Sequence, residues 1–214
     1  MNTPVNKNVT VTKIVIDSLC TAFKNIPSIL GAAILWILTC WIPYINVGTT
    51  IALLYGLPLE LSQGKIMKPT AIFDARYRKY MGEFFSCVGL MLISIIPAFF
   101  FMVIPAIIIG IGWSFAILLL IDKEMNPAQA LTESTKYTYG YKWTIFLAEL
   151  VIALLLTAVS VMLYSVAGAI GPTVILIMHL LVCLITVCVG VASTGVMYKM
   201  LVVERDTPLP SDVH

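Results

Sequence analysis

Three long apolar blocks, residues 27–61, 84–121 and 143–203, decide what this chain can fold into. Each is longer than the ~20 residues with which an α-helix crosses a bilayer core. Each also carries backbone breakers near its middle: Pro43 and Gly48 in WIPYINVG, Pro97 and Pro105 around AFFFMVI, and Gly168, Gly171 and Pro172 in SVAGAIGPT. Proline removes a backbone donor and glycine opens unusual dihedrals, so each block reads as a helical hairpin that reverses at a membrane surface. The expected fold is all-α, a polytopic membrane bundle of about six transmembrane helices in three hairpins joined by amphipathic helices. Charge content agrees: 11% of residues are charged, against about 25% in a soluble domain.

The 13 lysines and arginines supply the orientation, since none falls in a mid-block break. They gather before the first block (Lys7, Lys13, Lys24) and between the first and second (Lys65, Lys68, Arg76, Arg78, Lys79). The rest lie between the second and third (Lys123, Lys136, Lys142) and at the close (Lys199, Arg205). Basic residues concentrate in short cytoplasmic loops, which predicts cytoplasmic termini and connectors, with three outward-facing turns. On this reading 1–26 is a cytoplasmic amphipathic segment, 27–203 the transmembrane bundle and 204–214 a cytoplasmic tail. The first 26 residues lack an apolar core followed by a small-residue cleavage site, so no cleavable signal peptide is expected.

The first block is short for two crossings. Less a turn, it leaves about 15 residues per helix, or ~23 Å of rise, against a ~30 Å hydrocarbon core. Its first helix is therefore expected to start earlier, near Ile14, with a re-entrant hairpin as the alternative.

The segments entering the hairpins share a weak threefold pattern. DSLCTAFKNIPSI (17–29), DARYRKYMGEFFS (74–86) and ESTKYTYGYKWTI (133–145) each begin with an acid and carry an aromatic six residues on, at Phe23, Tyr80 and Tyr139. A constant period marks a repeated unit, here an amphipathic helix followed by a hairpin. In the last segment Asn126 suits an N-cap, Pro127 the first helical position and Gly140 a C-cap. Ala128, Leu131, Thr135 and Tyr139 then share one face, with Gln129, Glu133 and Lys136 elsewhere, as in a helix lying on a membrane surface. In the first connector Ile72, Phe73, Tyr77 and Tyr80 fall on one side. Its basic residues Lys65, Lys68, Arg76, Arg78 and Lys79 are candidate contacts for anionic lipid headgroups.

Chemistry-bearing residues are few. The net charge of +2 gives no footprint for nucleic acid. Cys20, Cys40, Cys87, Cys183 and Cys188 form no CxxC pair, so no metal or other cofactor is expected. No nucleophile elbow, phosphate-binding loop or HExxH motif occurs, and no catalytic residue is assigned. Glu60, at a helix end beside the basic connector, reads as solvated. Glu149, some 10 Å beyond Lys142 by helical rise, and His179 are ionisable groups within spans and form the candidate intramembrane polar site. Thr186, Gly190 and Thr194 recur at four-residue spacing, which lets helices approach closely.

Three stretches carry a resemblance: SQGKIMKPTAIFDARYRKY, then IPAIIIGIGWSFAILLLIDKEMNPAQALTESTKYTYGYKWTIF, then GAIGPTVILIMHLLVCLITVCVGVASTGVMYKML. Together, over residues 57–203, they resemble a group of uncharacterised bacterial integral membrane proteins. That group is similar to the membrane-anchor domain found ahead of glycerophosphodiester phosphodiesterases. The specific positions are Ile121, Asp122, Lys123, Asn126, Pro127, Ala130, Leu131, Ser134 and Gly140, with the Gly171 turn and Tyr198. The resemblance implies a helical inner-membrane bundle without established catalytic residues. The chain has no soluble phosphodiesterase domain, so that activity is not carried over.

The functional expectation is a non-enzymatic accessory or scaffold protein acting through membrane lipids or a partner membrane protein. The alternative is a small transporter or channel, alone or as a homo-oligomer, with Glu149 and His179 on a shared polar path. A lipid-modifying enzyme is third, and would need a further polar group beside one of those two residues.

Overall fold

The structure, a computed structural model, describes residues 9–66 and 68–206. Residues 1–8 of the expected N-terminal segment and 207–214 of the expected tail lie outside the described residues. Every element among the described residues is helical. Met81–Phe101, Val103–Asp122, Lys142–Gly168 and Pro172–Asp206 are long and apolar enough to cross a membrane. A bent pair, Val11–Lys24 with Ile26–Thr39, makes a fifth if it counts as one span. The all-helical membrane character expected from the sequence is therefore present, with four to five identifiable spans. The stretch 43–62, which holds Asn46, Thr49, Thr50 and Glu60, is not among them.

The first hairpin departs from expectation at Asn25. Helix α1 (Val11–Lys24) includes Ile14, but it does not run straight into α2 (Ile26–Thr39): the two meet at 71°. Pro27, in the first turn of α2, has no N–H to continue the ladder, and the Asn25 N–H closes α1 on the carbonyls of Thr21 and Ala22. Helix α1 is amphipathic, with Ile14, Val15, Ser18 and Ala22 buried and Phe23 turned outward. The reversal after α2 comes at Cys40–Ile42, and Pro43 opens α3 (Pro43–Ile51). Pro58 then cannot donate to the previous turn, and the ladder widens into a π turn over 52–56 before α4 (Leu57–Ser62).

The connector from 68 to 80 folds back on this hairpin. It comprises a 3-10 turn at Pro69–Phe73 and short helix α5 (Ala75–Lys79), capped by Asp74, whose carboxylate accepts from the Arg76 N–H at 3.0 Å. Ile72 and Tyr77 are buried as expected, while Phe73 and Tyr80 are half-buried. The Tyr77 ring lies so close to Gly56 that a Cβ there would sit 2.4 Å from it.

The second hairpin is α6 (Met81–Phe101), a reversal at Met102 in extended backbone, and α7 (Val103–Gly112). Pro97 lies inside α6 and Pro105 inside the first turn of α7, so the two prolines bracket the reversal as expected. Helix α7 stops at Gly112, and after a turn at Trp113–Phe115 the span resumes as α8 (Ala116–Asp122). The third hairpin pairs α10 (Lys142–Ile170) with α11 (Pro172–Tyr198), which continues as a π turn to Val203. Gly171 makes the reversal with φ +149°, a region that favours glycine.

Helix α9 (Pro127–Thr138) has the expected caps: the Asn126 side chain accepts from the Gln129 N–H at 2.9 Å, Pro127 opens it, and Gly140 follows with φ +86°. Its packed face differs from the apolar reading. Ala130, Leu131, Ser134 and Thr138 are buried, whereas Ala128 and Tyr139 are exposed. The helix folds back along α8, bringing Thr138 to Gly112, so it is an antiparallel partner of that helix. Hydroxyls decide this, because Ser134 and Thr138 bond backbone groups of the broken span.

Buried side chains concentrate where α1, α4, α8 and the C-terminal half of α11 meet. Ile14, Leu57, Phe115, Leu118, Leu119, Tyr198 and Val202 have almost no exposure. Most of α6 and the middle of α10 are bare, as lipid-facing surfaces are. In α11 the close approach is not at the Thr186–Gly190–Thr194 stripe, since a Cβ at Gly190 would meet open space. It is at Gly195, where a Cβ would stand 2.8 Å from the Pro58 carbonyl oxygen. The three hairpin entries do share one plan. Each has a helix or helical turn, a break at Asn25, Tyr80 or Tyr139–Tyr141, and then an apolar helix, which is long at the second and third entries and at the first only as long as α1, 14 residues.

Candidate functional site: a polar junction between connectors

Both connectors and the end of the last helix converge at one end of the bundle. The Tyr198 hydroxyl, on a fully buried ring, donates to Asp122 Oδ2 at 2.7 Å, and Gln63 Nε2 donates to Asp122 Oδ1 at 3.4 Å. One residue on, Lys123 forms an ion pair with Asp206 and donates to Tyr137 Oη at 2.8 Å. Tyr137 Oη in turn donates to Asp206 at 2.9 Å. Lys123 and Arg205 both stand over the Tyr137 ring, 4.8 and 5.5 Å from its centroid. Burial pulls the Lys123 ammonium down, but the bonds to Asp206 and Tyr137 outweigh it and hold it above its ordinary value. Burial likewise pushes the Tyr137 phenol up.

A second group ties the first connector to its neighbours. Arg76 donates to Glu60 at 2.7 Å and to Tyr77 Oη at 2.6 Å, so Glu60 is paired and not simply solvated. The bond to Glu60 holds the Arg76 guanidinium above its ordinary value. Tyr80 donates to Glu124 at 2.7 Å, and Lys79 lies 3.6 Å from the same carboxylate. The Tyr80 bond, then Lys79, hold the Glu124 carboxyl below its ordinary value.

Of the five basic residues expected at lipid headgroups, Arg76 and Lys79 are thus engaged in ion pairs. The stem of Arg78 packs on Gly48. Lys65 is exposed and bonded to Gln63, and Lys68 is exposed. The five are not gathered into one site.

Glu149 and His179 are not brought together either. Glu149 accepts from Ser193 Oγ at 3.1 Å, and His179 Nδ1 is 2.8 Å from Tyr164 Oη, with its ring stacked on the tyrosine. Both pairs cross the α10–α11 hairpin. They lie 15 residues apart on α10, which is ~22 Å of helix. Ser193 and Tyr164 were missed in sequence because serine and tyrosine are common in spans, and each pairing depends on hairpin register.

Sequence reasoning also missed the repair of the broken span. Ser134 Oγ donates to the Gly112 carbonyl at 2.7 Å and accepts from the Phe115 N–H at 3.2 Å. Thr138 Oγ1 reaches the same carbonyl at 3.3 Å, and Lys142 Nζ reaches the Ile108 carbonyl at 3.4 Å. Non-helical backbone within a span survives where neighbouring groups satisfy it. Among the described residues no group of three or more His, Cys, Asp or Glu is placed to hold a metal ion.

No protein-family model, curated protein or solved structure matches the chain.

Proposed function

We propose that this protein is a non-enzymatic, multi-pass component of a bacterial cytoplasmic membrane, acting as an accessory or scaffold through lipid or partner-protein contacts. The observation that carries the reading is the separation of Glu149 from His179, each held by its own partner across α10 and α11. A polar transport path would bring the two into one interior cavity. The junction of Asp122, Lys123, Tyr137, Tyr198 and Asp206 adds support, because its groups bond mainly to one another and tie connectors together.

In this proposal the chain crosses six times, with α2 and the helical stretch 43–62 as the first hairpin and both termini in the cytoplasm. The convergence of both connectors with the end of α11 supports the second and third hairpins, since an even number of crossings between them returns the chain to one side. The resemblance to the anchor domain ahead of glycerophosphodiester phosphodiesterases is retained on the same footing. Asp122, Lys123, Ser134 and Tyr198, which carry it, are the residues that build the junction and the repaired span.

Mass spectrometry of the intact protein extracted in mild detergent tests the role. Stoichiometric retention of a lipid or a second polypeptide is expected. Solute or ion flux through the purified protein in liposomes, abolished by Glu149→Gln, would overturn it in favour of a transporter.

A further inference from the structure

A groove of about 510 Å³ opens sideways between α7 and the start of α10. That volume falls within the ~300–1,000 Å³ typical of small-molecule sites. One wall is the isoleucine face of α7, Ile104, Ile107, Ile108 and Ile111; the other is Trp143 and Phe146. Lys142 contributes a cation to this apolar lining. It donates to the Ile108 carbonyl at 3.4 Å, and among the described residues no carboxylate pairs with it. Every other lysine of the second connector has an acidic partner: Lys123 has Asp206 and Lys136 has Glu133. Tyr139 and Trp143 stand exposed at the groove's rim.

From this pairing we infer that the groove is a binding site for one anionic phospholipid. An acyl chain lies along the isoleucine face and the phosphate sits at Lys142. The inference deepens the lipid-contact reading above and rests on it. The occupant follows from charge and shape. An apolar trough continuous with lipid-facing surface takes a chain, and an ammonium without a carboxylate partner takes a phosphate. From Ile104 to Ile111 the trough runs ~10 Å by helical rise, so it holds the glycerol-proximal part of the chain while the rest stays in the bilayer. A zwitterionic lipid brings a phosphate together with a fixed cation and gains less from a single lysine. A polybasic surface would discriminate more strongly, but the basic residues of the first connector are held elsewhere.

The test uses the full chain in detergent, titrated with phosphatidylglycerol or phosphatidylcholine and read by native mass spectrometry and thermal shift. One lysine near an anionic lipid corresponds to about a fivefold preference. The wild type should therefore favour phosphatidylglycerol by about that factor. Lys142→Gln should lose the preference, Lys142→Arg should keep it, and Lys65→Ala should leave it unchanged. Ile107→Trp, which fills the trough without touching the charge, should weaken both lipids, so the site stays testable even if Lys142→Gln fails to fold. Equal binding of the two lipids by the wild type, or a preference that survives both Lys142→Gln and Ile107→Trp, would overturn the groove. A preference lost only in Lys65→Ala would do the same while leaving the lipid-contact reading standing. Retention of no lipid by any form would remove both.

Discussion

The hydroxyl of Tyr198, near the end of the last helix, donates at 2.7 Å to the carboxylate of Asp122, where the second hairpin ends. These residues are 76 positions apart, and their bond fixes the register of α11 against α8. Gln63 adds a bond from the end of the first hairpin, so one carboxylate gathers a group from all three.

Tyr198→Phe removes that donor while keeping the ring in its packed site against Phe115. A bond to a charged group in such a setting contributes about 1–2 kcal/mol, and thermal unfolding in nanodiscs should show a loss of that size. Asp122→Asn should cost less, because the amide oxygen still accepts. An unchanged transition in Tyr198→Phe would mean that the junction does not hold the hairpins together.

Ser134→Ala leaves the Gly112 carbonyl with only the longer Thr138 bond and the Phe115 N–H without its partner. Stranding buried backbone groups costs about 1–3 kcal/mol. Gln129→Glu, on the exposed face of the same helix, should stay within about 0.5 kcal/mol of wild type. Leu131→Glu should be severely destabilising, because that side chain is 8% exposed. Chemical denaturation of the three variants side by side separates a packed α9 from a loosely associated one.

The glycines of α11 give opposite outcomes. Gly195→Ala forces a methyl against Pro58 and should cost about 1–3 kcal/mol. Gly190→Ala meets open space and should be neutral or stabilising by up to ~1 kcal/mol. A reversed ranking would place the close helix contact on the other face of α11.

What the sequence made legible was chemistry confined to neighbouring residues. The Asn126 cap, the Pro127 start and the turns at Gly140 and Gly171 follow from side chains acting within a few positions, and all are present. The three entry units could be seen because a helix break needs only local breakers. The packed face of α9 could not, since Ser134 has its partners 22 and 19 residues away and looks neutral on any apolar pattern. The 71° bend at Asn25 was hidden for a related reason. Pro27 is compatible with a helix start, and only the packing of α1 on α11 shows that a new axis begins there. Glu149 and His179 stand out in the sequence as ionisable groups within apolar runs, but their partners Ser193 and Tyr164 depend on hairpin register.

Alkaline pH should loosen the junction. Lys123, Tyr137 and Tyr80 are all held above their ordinary values, so each favours the folded state below its unfolded value and loses that contribution as pH rises through the folded one. Glu124 is held low and has the opposite sense, contributing at neutral pH and losing it in acid. Thermal stability should therefore be flat from about pH 6 to 9 and fall above pH 10, the ordinary tyrosine value. Tyr137→Phe should flatten the alkaline limb. An alkaline limb identical to wild type in that variant would remove Tyr137 as its source.

The most direct measurement of the proposed membrane arrangement is thiol accessibility in intact cells. In a background with the five native cysteines replaced, single cysteines are placed at Trp41, Thr173 and Gln129. Trp41 is in the first reversal and 88% exposed, Thr173 adjoins the Gly171 turn, and Gln129 lies on the outer face of α9. The proposal predicts that an impermeant reagent labels Trp41→Cys and Thr173→Cys in intact cells and Gln129→Cys only after permeabilisation. Labelling of Gln129→Cys in intact cells, with the two turn positions protected, would contradict the orientation and the six-crossing arrangement built on it.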